Sequence, residues 1–318
     1  MTKLRLTVSV AAMALIIGGA ATASRAADYV EDPGCLLSGS VMAGFMYDWQ
    51  SSEFSDEGDE FDGKDVDWTT PFGEGAGLVT CGAFNIQADV AYYAHSADLD
   101  FDDADLDQTN THIGGALFYR DPGSWAGGVS GSWIGQDIFG KDIDTFRVGL
   151  FGEFYFDDMF TLGASAHYYN RDWPSEFILD NKDEDGFELA AWGRFYATPD
   201  LALTLRGDVL LASLDFDNEN ADLEGFAITG DAEYLVWDQG LAIFGGARYA
   251  DRQLDSDEVD EEAEIEDFQV FGGLKFYFGY DGTLIERQRT GTVDNTSVFH
   301  EKLPEFFTSG VLATNGPN

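Results

Sequence analysis

The chain has 318 residues, of which 59 are Asp or Glu and 17 are Lys or Arg, so its formal charge at pH 7 is −42. A protein this acidic is repelled by nucleic-acid phosphates, which excludes nucleic acid as a partner. High net charge is also typical of disorder, but an aromatic content of 14% indicates a packed structure. We therefore expect the charge to be segregated from the segments that pack.

The first 26 residues have the three-part layout of a secretory signal peptide. A basic start with Lys3 and Arg5 is followed by an apolar core and by small residues that end at Ala26. Removal of this segment takes three basic residues and no acidic one, so the formal charge changes from −42 to −45. We expect residues 27–37 to form a short periplasmic segment of the exported protein.

Segments in which large apolar residues alternate with small or polar ones follow, between residues 38 and 278. In FRVGLFGEFYF, for example, Phe146 and Val148 lie on one face and Arg147 on the other. A period of two residues is the signature of a β-strand. We predict about twelve strands, with ten to fourteen left open, starting near residues 38, 66, 83, 109, 125, 145, 159, 186, 201, 224, 241 and 266.

The connections between these segments alternate in length. Short turns rich in Gly, Pro and Asp follow every second segment, and long acidic stretches follow the others. The acidic stretches lie near residues 50–67, 96–108, 137–144, 170–186, 212–224 and 251–267. Most segments span about 10–13 residues, enough for a tilted strand to cross a bilayer, whereas soluble sandwich strands have about 5–6. The pattern predicts an all-β fold, a transmembrane antiparallel up-and-down barrel with short periplasmic turns and long acidic extracellular loops.

Basic residues within the strands determine which face meets lipid. A cationic side chain facing lipid near the bilayer midplane costs roughly 2–4 kcal/mol, so five of them would cost about 10–20 kcal/mol, as much as a domain's whole stability. The less apolar face must therefore line a polar lumen. Its charged residues are our candidate lumen and selectivity residues: Asp89, Arg147, Glu153, Glu188, Arg194, Arg206, Asp208, Asp231, Glu233, Arg248 and Lys275.

These charges allow two interpretations that the sequence leaves open. They can orient permeating ions or solutes, or they can form ion pairs that fill and close a narrow barrel. Small residues on the same face leave space for water and favour a pore: Gly114, Ser130, Gly163, Ala190, Gly246 and Gly273.

Other candidate sites are weaker. Cys35 precedes the first strand and Cys81 lies in the first short turn, so the two form a candidate structural disulfide at the periplasmic rim. Loose binding of Ca²⁺ or Mg²⁺, and no other cofactor, is expected at Asp98, Asp100, Asp102, Asp103 and Asp105. His95 and Ser96 point to opposite faces of a strand, the wrong geometry for one to activate the other, so we expect no enzyme.

The last strand segment ends in GLKFYF, where Phe276 and Phe278 follow Gly273. Together with the alternating segments, this motif resembles the Gram-negative outer-membrane β-barrels of the porin-like class, over about residues 36–278. The resemblance implies that Gly273, Phe276 and Phe278 form the aromatic-ended signal read by the barrel-assembly machinery. It also implies that the protein lies in the outer membrane, in contact with its lipids and lipopolysaccharide.

Family members commonly end at that aromatic residue, whereas here Gly279 to Asn318 follow. This tail has no sustained periodicity, so we expect a flexible periplasmic extension, with a plug that enters the barrel or a tether to cell-wall material as the alternatives.

The expected function is a channel for passive diffusion of ions or small hydrophilic solutes, with a cation preference set by the acidic mouth. The first alternative is a closed, non-transporting barrel with an acidic, cation-bridged surface or docking face. A surface hydrolase is the third hypothesis.

Overall fold

The structure is a computed structural model that describes residues 34–56, 59–62, 66–99, 104–138, 141–157, 159–173, 182–216, 219–256, 261–296 and 299. The predicted signal peptide, most of the predicted N-terminal segment and the chain after Phe299 lie outside the described residues. Three of the candidate cation ligands, Asp100, Asp102 and Asp103, also lie outside them.

Thirteen β-strands and one helix make up the regular structure of the described ranges. The strands are β1 Leu36–Asp56, β2 Asp59–Asp62, β3 Val66–Cys81, β4 Phe84–Leu99, β5 Ala104–Asp121, β6 Trp125–Ile138, β7 Lys141–Phe156, β8 Phe160–Trp173, β9 Lys182–Thr198, β10 Leu201–Phe216, β11 Glu219–Trp237, β12 Leu241–Ser256 and β13 Glu261–Phe278. The helix α1 spans Leu284–Thr290. No helix in the described part of the chain is long and apolar enough to cross a membrane.

Twelve of the strands form one closed antiparallel barrel, which confirms the predicted fold. Each pairs with its neighbours in sequence, and β13 pairs with β1 to close the sheet, from Gly39↔Phe278 to Asp56↔Glu261. The short strand β2 pairs only with the outer end of β1. Closure leaves no sheet edge at membrane depth, as a bilayer requires.

The alternation along each strand separates lipid from lumen as predicted. Leu150 is 63% exposed on the outside of the barrel, whereas its strand neighbour Arg147 is 5% exposed on the inside. The remaining basic candidates share the inward phase, since Arg194, Arg206, Arg248 and Lys275 all line the internal cavity. The outer surface is therefore the apolar belt that meets lipid.

The strands are longer than we predicted, with 14 to 21 residues in the barrel strands. The additional residues come from the stretches that we assigned to acidic loops, as where Asp98 pairs with Asp105 across β4 and β5. Beyond the bilayer neither face of a hairpin has to be apolar, so acidic residues do not end a strand there. Pairing continues because it satisfies the backbone hydrogen bonds.

The short turns lie at the same end of the barrel as the start of β1 and the end of β13. At this end Cys35 and Cys81 form a disulfide, with their Cα atoms 4.3 Å apart. Phe278 ends β13 and pairs with Gly39 at the seam, so the aromatic-ended terminal strand is present where the motif implied it. Its recognition by the assembly machinery stays a prediction.

The segment after β13 differs from the expected flexible extension. Helix α1 packs at the periplasmic end, and residues 291–296 run into the lumen, where their atoms bond to side chains of β4, β5, β7 and β10. The chain can reverse its direction at this point because Gly279 and Gly282 have positive φ angles of 84° and 142°. Residues 284–296 are called the lumen segment below. Its helix α1 lies at the periplasmic end of the barrel, and residues 291–296 lie inside the barrel.

A charge on the lipid face tests the phase of the alternation. We expect Leu150→Arg to lower the free energy of unfolding by about 2–4 kcal/mol, because Leu150 lies near the middle of the apolar belt. Phe84→Arg, at the periplasmic rim, should cost about 0–1 kcal/mol. Urea titration of the protein in lipid vesicles measures both. Equal costs at the two positions would contradict the assigned membrane depth.

Candidate functional site

Helix α1 covers part of the periplasmic end of the lumen. Thr283 caps it, because its hydroxyl accepts from the Glu286 amide while the Glu286 carboxylate accepts from the Thr283 amide at 2.8 Å. The helix buries Leu284 and Ile285 in an apolar cluster that includes Tyr277 at the end of β13. The helix is thereby fixed to the barrel wall.

The two buried arginines of α1 bond to backbone carbonyls of the turns and strand ends. Arg287 donates to the carbonyl oxygens of Gly282 at 2.9 Å and Asp238 at 2.6 Å. Burial lowers the pKa of Arg287 below its usual range, against the opposing effect of Asp281. Arg289 donates to the Phe160 carbonyl at 2.9 Å. These bonds replace the water that the guanidinium groups lose on burial.

Beyond α1, the lumen segment is bonded to the wall residue by residue. Val293 forms two hydrogen bonds with the side chain of Gln87. Nε2 of Gln87 donates to the Val293 carbonyl at 2.7 Å, and the Val293 backbone N–H donates to Oε1 of Gln87 at 2.8 Å. Arg120 donates to the Gly291 carbonyl at 2.6 Å. The backbone of this segment therefore has defined partners without forming a strand or helix.

Arg147 joins the wall to the lumen segment at mid-depth. Its Nε donates to Glu188 at 2.7 Å, and its Nη1 donates to the Asn295 carbonyl at 3.0 Å. Asn295 also donates from Nδ2 to the Gly131 carbonyl at 3.3 Å. A charged pair that we predicted on the lumen face thus holds the segment in place.

Arg206 of β10 forms an ion pair with the lumen segment. Its Nη1 lies 3.0 Å from Oδ2 of Asp294. The other edge of the guanidinium bonds to Asp208, at 2.8 Å from Nε and 2.8 Å from Nη2, and the Trp192 ring lies 5.7 Å from its Cζ. The wall fixes Arg206 independently of the lumen segment.

A cavity of about 270 Å³ remains inside the barrel beside residues 292–296. Eight of the eleven predicted lumen residues line it: Asp89, Glu153, Arg194, Arg206, Asp231, Glu233, Arg248 and Lys275. Arg147, Glu188 and Asp208 are buried around it. The structure therefore brings the predicted charges together around one internal space.

Charges of the wall also pair with each other near the periplasmic end. Lys275 lies 3.4 Å from Glu233, whose carboxylate accepts from Tyr277 at 2.5 Å and from Gln288 of α1 at 3.3 Å. Tyr155 donates to Glu153 at 3.1 Å. Among these residues the structure contains both cavity-lining charges and ion pairs of the wall.

The small inward residues do not leave the open space that we expected. An added Cβ at Gly163 would meet the Trp192 ring, and one at Gly246 would meet the Phe271 ring. The space beside these glycines is filled by aromatic rings from neighbouring strands. Gly114 differs, because its missing side chain makes room for Asp89 and for Asn295 of the lumen segment.

Two features of the extracellular half were not predicted. An apolar cluster inside the barrel contains Leu210, Leu223 and Ile265 together with Phe299 of the tail. At the two ends of the acidic stretch 170–186, Glu184 accepts from Arg171 at 2.9 Å and from the adjoining Tyr169 at 2.7 Å. The apolar run VLLASL in β10 was the available signal for the cluster, because it is apolar on both faces.

The histidines have polar wall partners. Nδ1 of His95 lies 2.8 Å from the Thr70 hydroxyl and Nε2 of His167 lies 2.8 Å from the Ser130 hydroxyl. His95 is buried and Ser96 exposed, on opposite faces as expected. Within the described ranges no group of three or more His, Cys, Asp or Glu is arranged to hold a metal ion, and the side chains of Asp98 and Asp105 are not described.

Comparisons with known proteins support the fold alone. No protein-family model matches the chain, and no curated protein matches its sequence. An outer-membrane channel from Pseudomonas putida F1 is similar in structure, with a TM-score of 0.54 and 11% identity over 78% of this chain and 99% of that one. The translocator domain of the autotransporter NalP from Neisseria meningitidis has a TM-score of 0.41 and 11% identity, over 85% and 98% of the two chains.

The closed antiparallel barrel is thus similar in fold to the channel from Pseudomonas putida F1. The chain therefore has the fold of an outer-membrane β-barrel.

Proposed function

We propose that this barrel is a channel for passive diffusion of ions or small hydrophilic solutes across the outer membrane, and that the lumen segment is its plug. The observation that carries the proposal is the cavity of about 270 Å³, lined by charged wall residues and by the lumen segment. A barrel whose interior served only as a core would be packed without such a polar space.

The contacts of the lumen segment are of a kind that water can replace. At mid-depth the segment is held mainly by hydrogen bonds, such as those of Val293 with Gln87 and of Asn295 with Arg147. A hydrogen bond exchanged for bonds to water changes stability by only about 0.5–1.5 kcal/mol. Among the described residues after β13, those packed in apolar clusters are Leu284 and Ile285 of α1, Val293, and Phe299 beyond the segment. Withdrawal of the segment therefore need not unfold the barrel.

The extracellular apolar cluster favours a second candidate function. Leu210, Leu223 and Phe299 pack together inside the barrel and narrow its extracellular half in this conformation. If the cluster stays closed when the lumen segment is removed, the protein is a non-transporting barrel and its outer loops are the functional part. Lipopolysaccharide and the barrel-assembly machinery stay predicted partners under both functions.

Single-channel conductance in planar bilayers distinguishes the two. We expect rare openings from the full chain and stable conductance steps from a chain that ends after Gly282, because it lacks α1 and residues 291–296. Gly114→Val leaves the chain at full length but collides with Asp89 and Asn295, so it should also open the channel more often.

Gly207→Val is the matched control, because a Cβ at Gly207 meets nothing within 4 Å and the residue faces outward. It should conduct like the unmodified chain. Heat-dependent migration in gels verifies that each variant is a folded barrel. Absence of conductance from the folded, shortened chain would reject the channel.

We expect the open channel to prefer cations because of its mouth. The candidate lumen residues hold six acids and five bases, so the interior is nearly balanced, whereas the extracellular stretches are strongly acidic. The Debye length falls from about 8 Å at 0.15 M salt to about 3 Å at 1 M. The reversal potential under a salt gradient should therefore indicate cation preference that weakens as the mean salt concentration rises. A preference for anions at low salt would contradict this origin.

A further inference from the structure

The lumen wall presents three arginines, on strands β9, β10 and β12, in one arrangement. Arg194, Arg206 and Arg248 each direct Nε toward a wall group, and those acceptors are Thr204 at 3.4 Å, Asp208 at 2.8 Å and Thr229 at 3.2 Å. All three arginines line the cavity. Anchoring of Nε limits the rotation of a guanidinium and directs its terminal N–H groups to the interior.

Arg206 shows what these groups bind. Asp208 bonds to one edge of its guanidinium and Trp192 lies against its face, while Nη1 is directed at the carboxylate of Asp294. Asp294 belongs to the lumen segment and its side chain is 54% exposed, so the carboxylate lies at the cavity boundary. A carboxylate is thus already held at the cavity by a prearranged arginine.

The opposite part of the cavity lining is apolar. Met42, Met46, Phe72, Phe244 and Phe271 contribute to it. A volume of about 270 Å³ is large enough for several water molecules or for one small solute. The cavity therefore suits a molecule of a few carbon atoms that has one anionic end.

We propose that Arg206 is the anchor of a subsite for short-chain organic carboxylates, and that Asp294 occupies this subsite as an internal substitute. The incoming carboxylate takes over the contact with Nη1, and its carbon chain lies toward the apolar lining. Exchange of one carboxylate for another keeps an anionic acceptor at Nη1 of Arg206, so the charge-assisted hydrogen bond is retained in both states. Release of Asp294 loosens the lumen segment.

The transport consequence rests on the channel function proposed above, whereas binding to the subsite does not. Two measurements on the full chain distinguish binding to the subsite from transport. Hydrogen exchange of backbone amides in residues 290–297 reports release of the segment. Opening frequency in planar bilayers reports transport. The probe is sodium butyrate that replaces sodium chloride at constant ionic strength, and butyramide is the neutral isostere.

We expect butyrate, but not butyramide, to speed amide exchange and to raise the opening frequency. Asp294→Asn should show about tenfold faster exchange in chloride alone, which corresponds to about 1.4 kcal/mol, and should gain little more from butyrate. Asp157→Asn is the matched control, because it removes one exposed carboxylate from a periplasmic turn. Asp157 has a φ of 45°, which Asn also tolerates, so this variant should behave like the unmodified chain. Arg206→Lys retains the positive charge but lacks the planar set of N–H donors of a guanidinium. This variant should lose the response to butyrate.

A response of exchange without any conductance would support the subsite and reject the channel. Conductance without a butyrate response in either readout would overturn the subsite and leave the channel. An equal response to butyramide, or equal effects of Asp157→Asn and Asp294→Asn, would also overturn the subsite.

Discussion

The structure depends on the requirement that every backbone N–H and C=O at membrane depth has a partner, which a sheet meets only by closing on itself. The β1–β13 seam provides that closure, and Gly39 is needed there because an added Cβ would meet the Phe278 ring. Closure also places Gly279 at the periplasmic rim, directly beside the mouth of the lumen. The path of the tail into the barrel is therefore a consequence of where the seam ends.

The strands and their phase could be predicted because two independent constraints agree. Period-two alternation defines two faces, and residues such as Arg147 and Arg206 exclude one of them from lipid. Strand ends were less predictable, because acidic residues are tolerated in a paired hairpin once it leaves the bilayer. The pairing of inward charges could not be predicted either. Arg147 on β7 meets Glu188 on β9, and alternation specifies a face but not a partner two strands away.

The sequence left the path of the tail open, with a plug only as an alternative, because the lumen segment does not need periodicity to bind. Its backbone groups bond to separate side chains of several strands. Gly291 bonds to Arg120, and Val293 bonds to Gln87. Hydrophobic periodicity indicates helices and strands that bury one face. It gives no signal for a chain that is held by separate polar contacts. One local signal was readable: Thr283 with Glu286 forms a capping box, which predicts the start of a helix in a region otherwise without pattern.

The interior charges can both stabilise the barrel and contact solutes, because their ion pairs are of two kinds. Wall pairs join two strands, and plug pairs join a strand to the lumen segment. Arg147 and Glu188 are both nearly enclosed, and breaking such a pair typically costs about 3–5 kcal/mol. The contact of Arg206 with Asp294 reaches an aspartate whose side chain is half exposed to the cavity, so this pair is less enclosed than that of Arg147 with Glu188. Because Asp208 stays bonded to Arg206, loss of Asp294 does not leave the guanidinium unpaired. The wall pairs can therefore keep the barrel in shape while the plug exchanges with solutes.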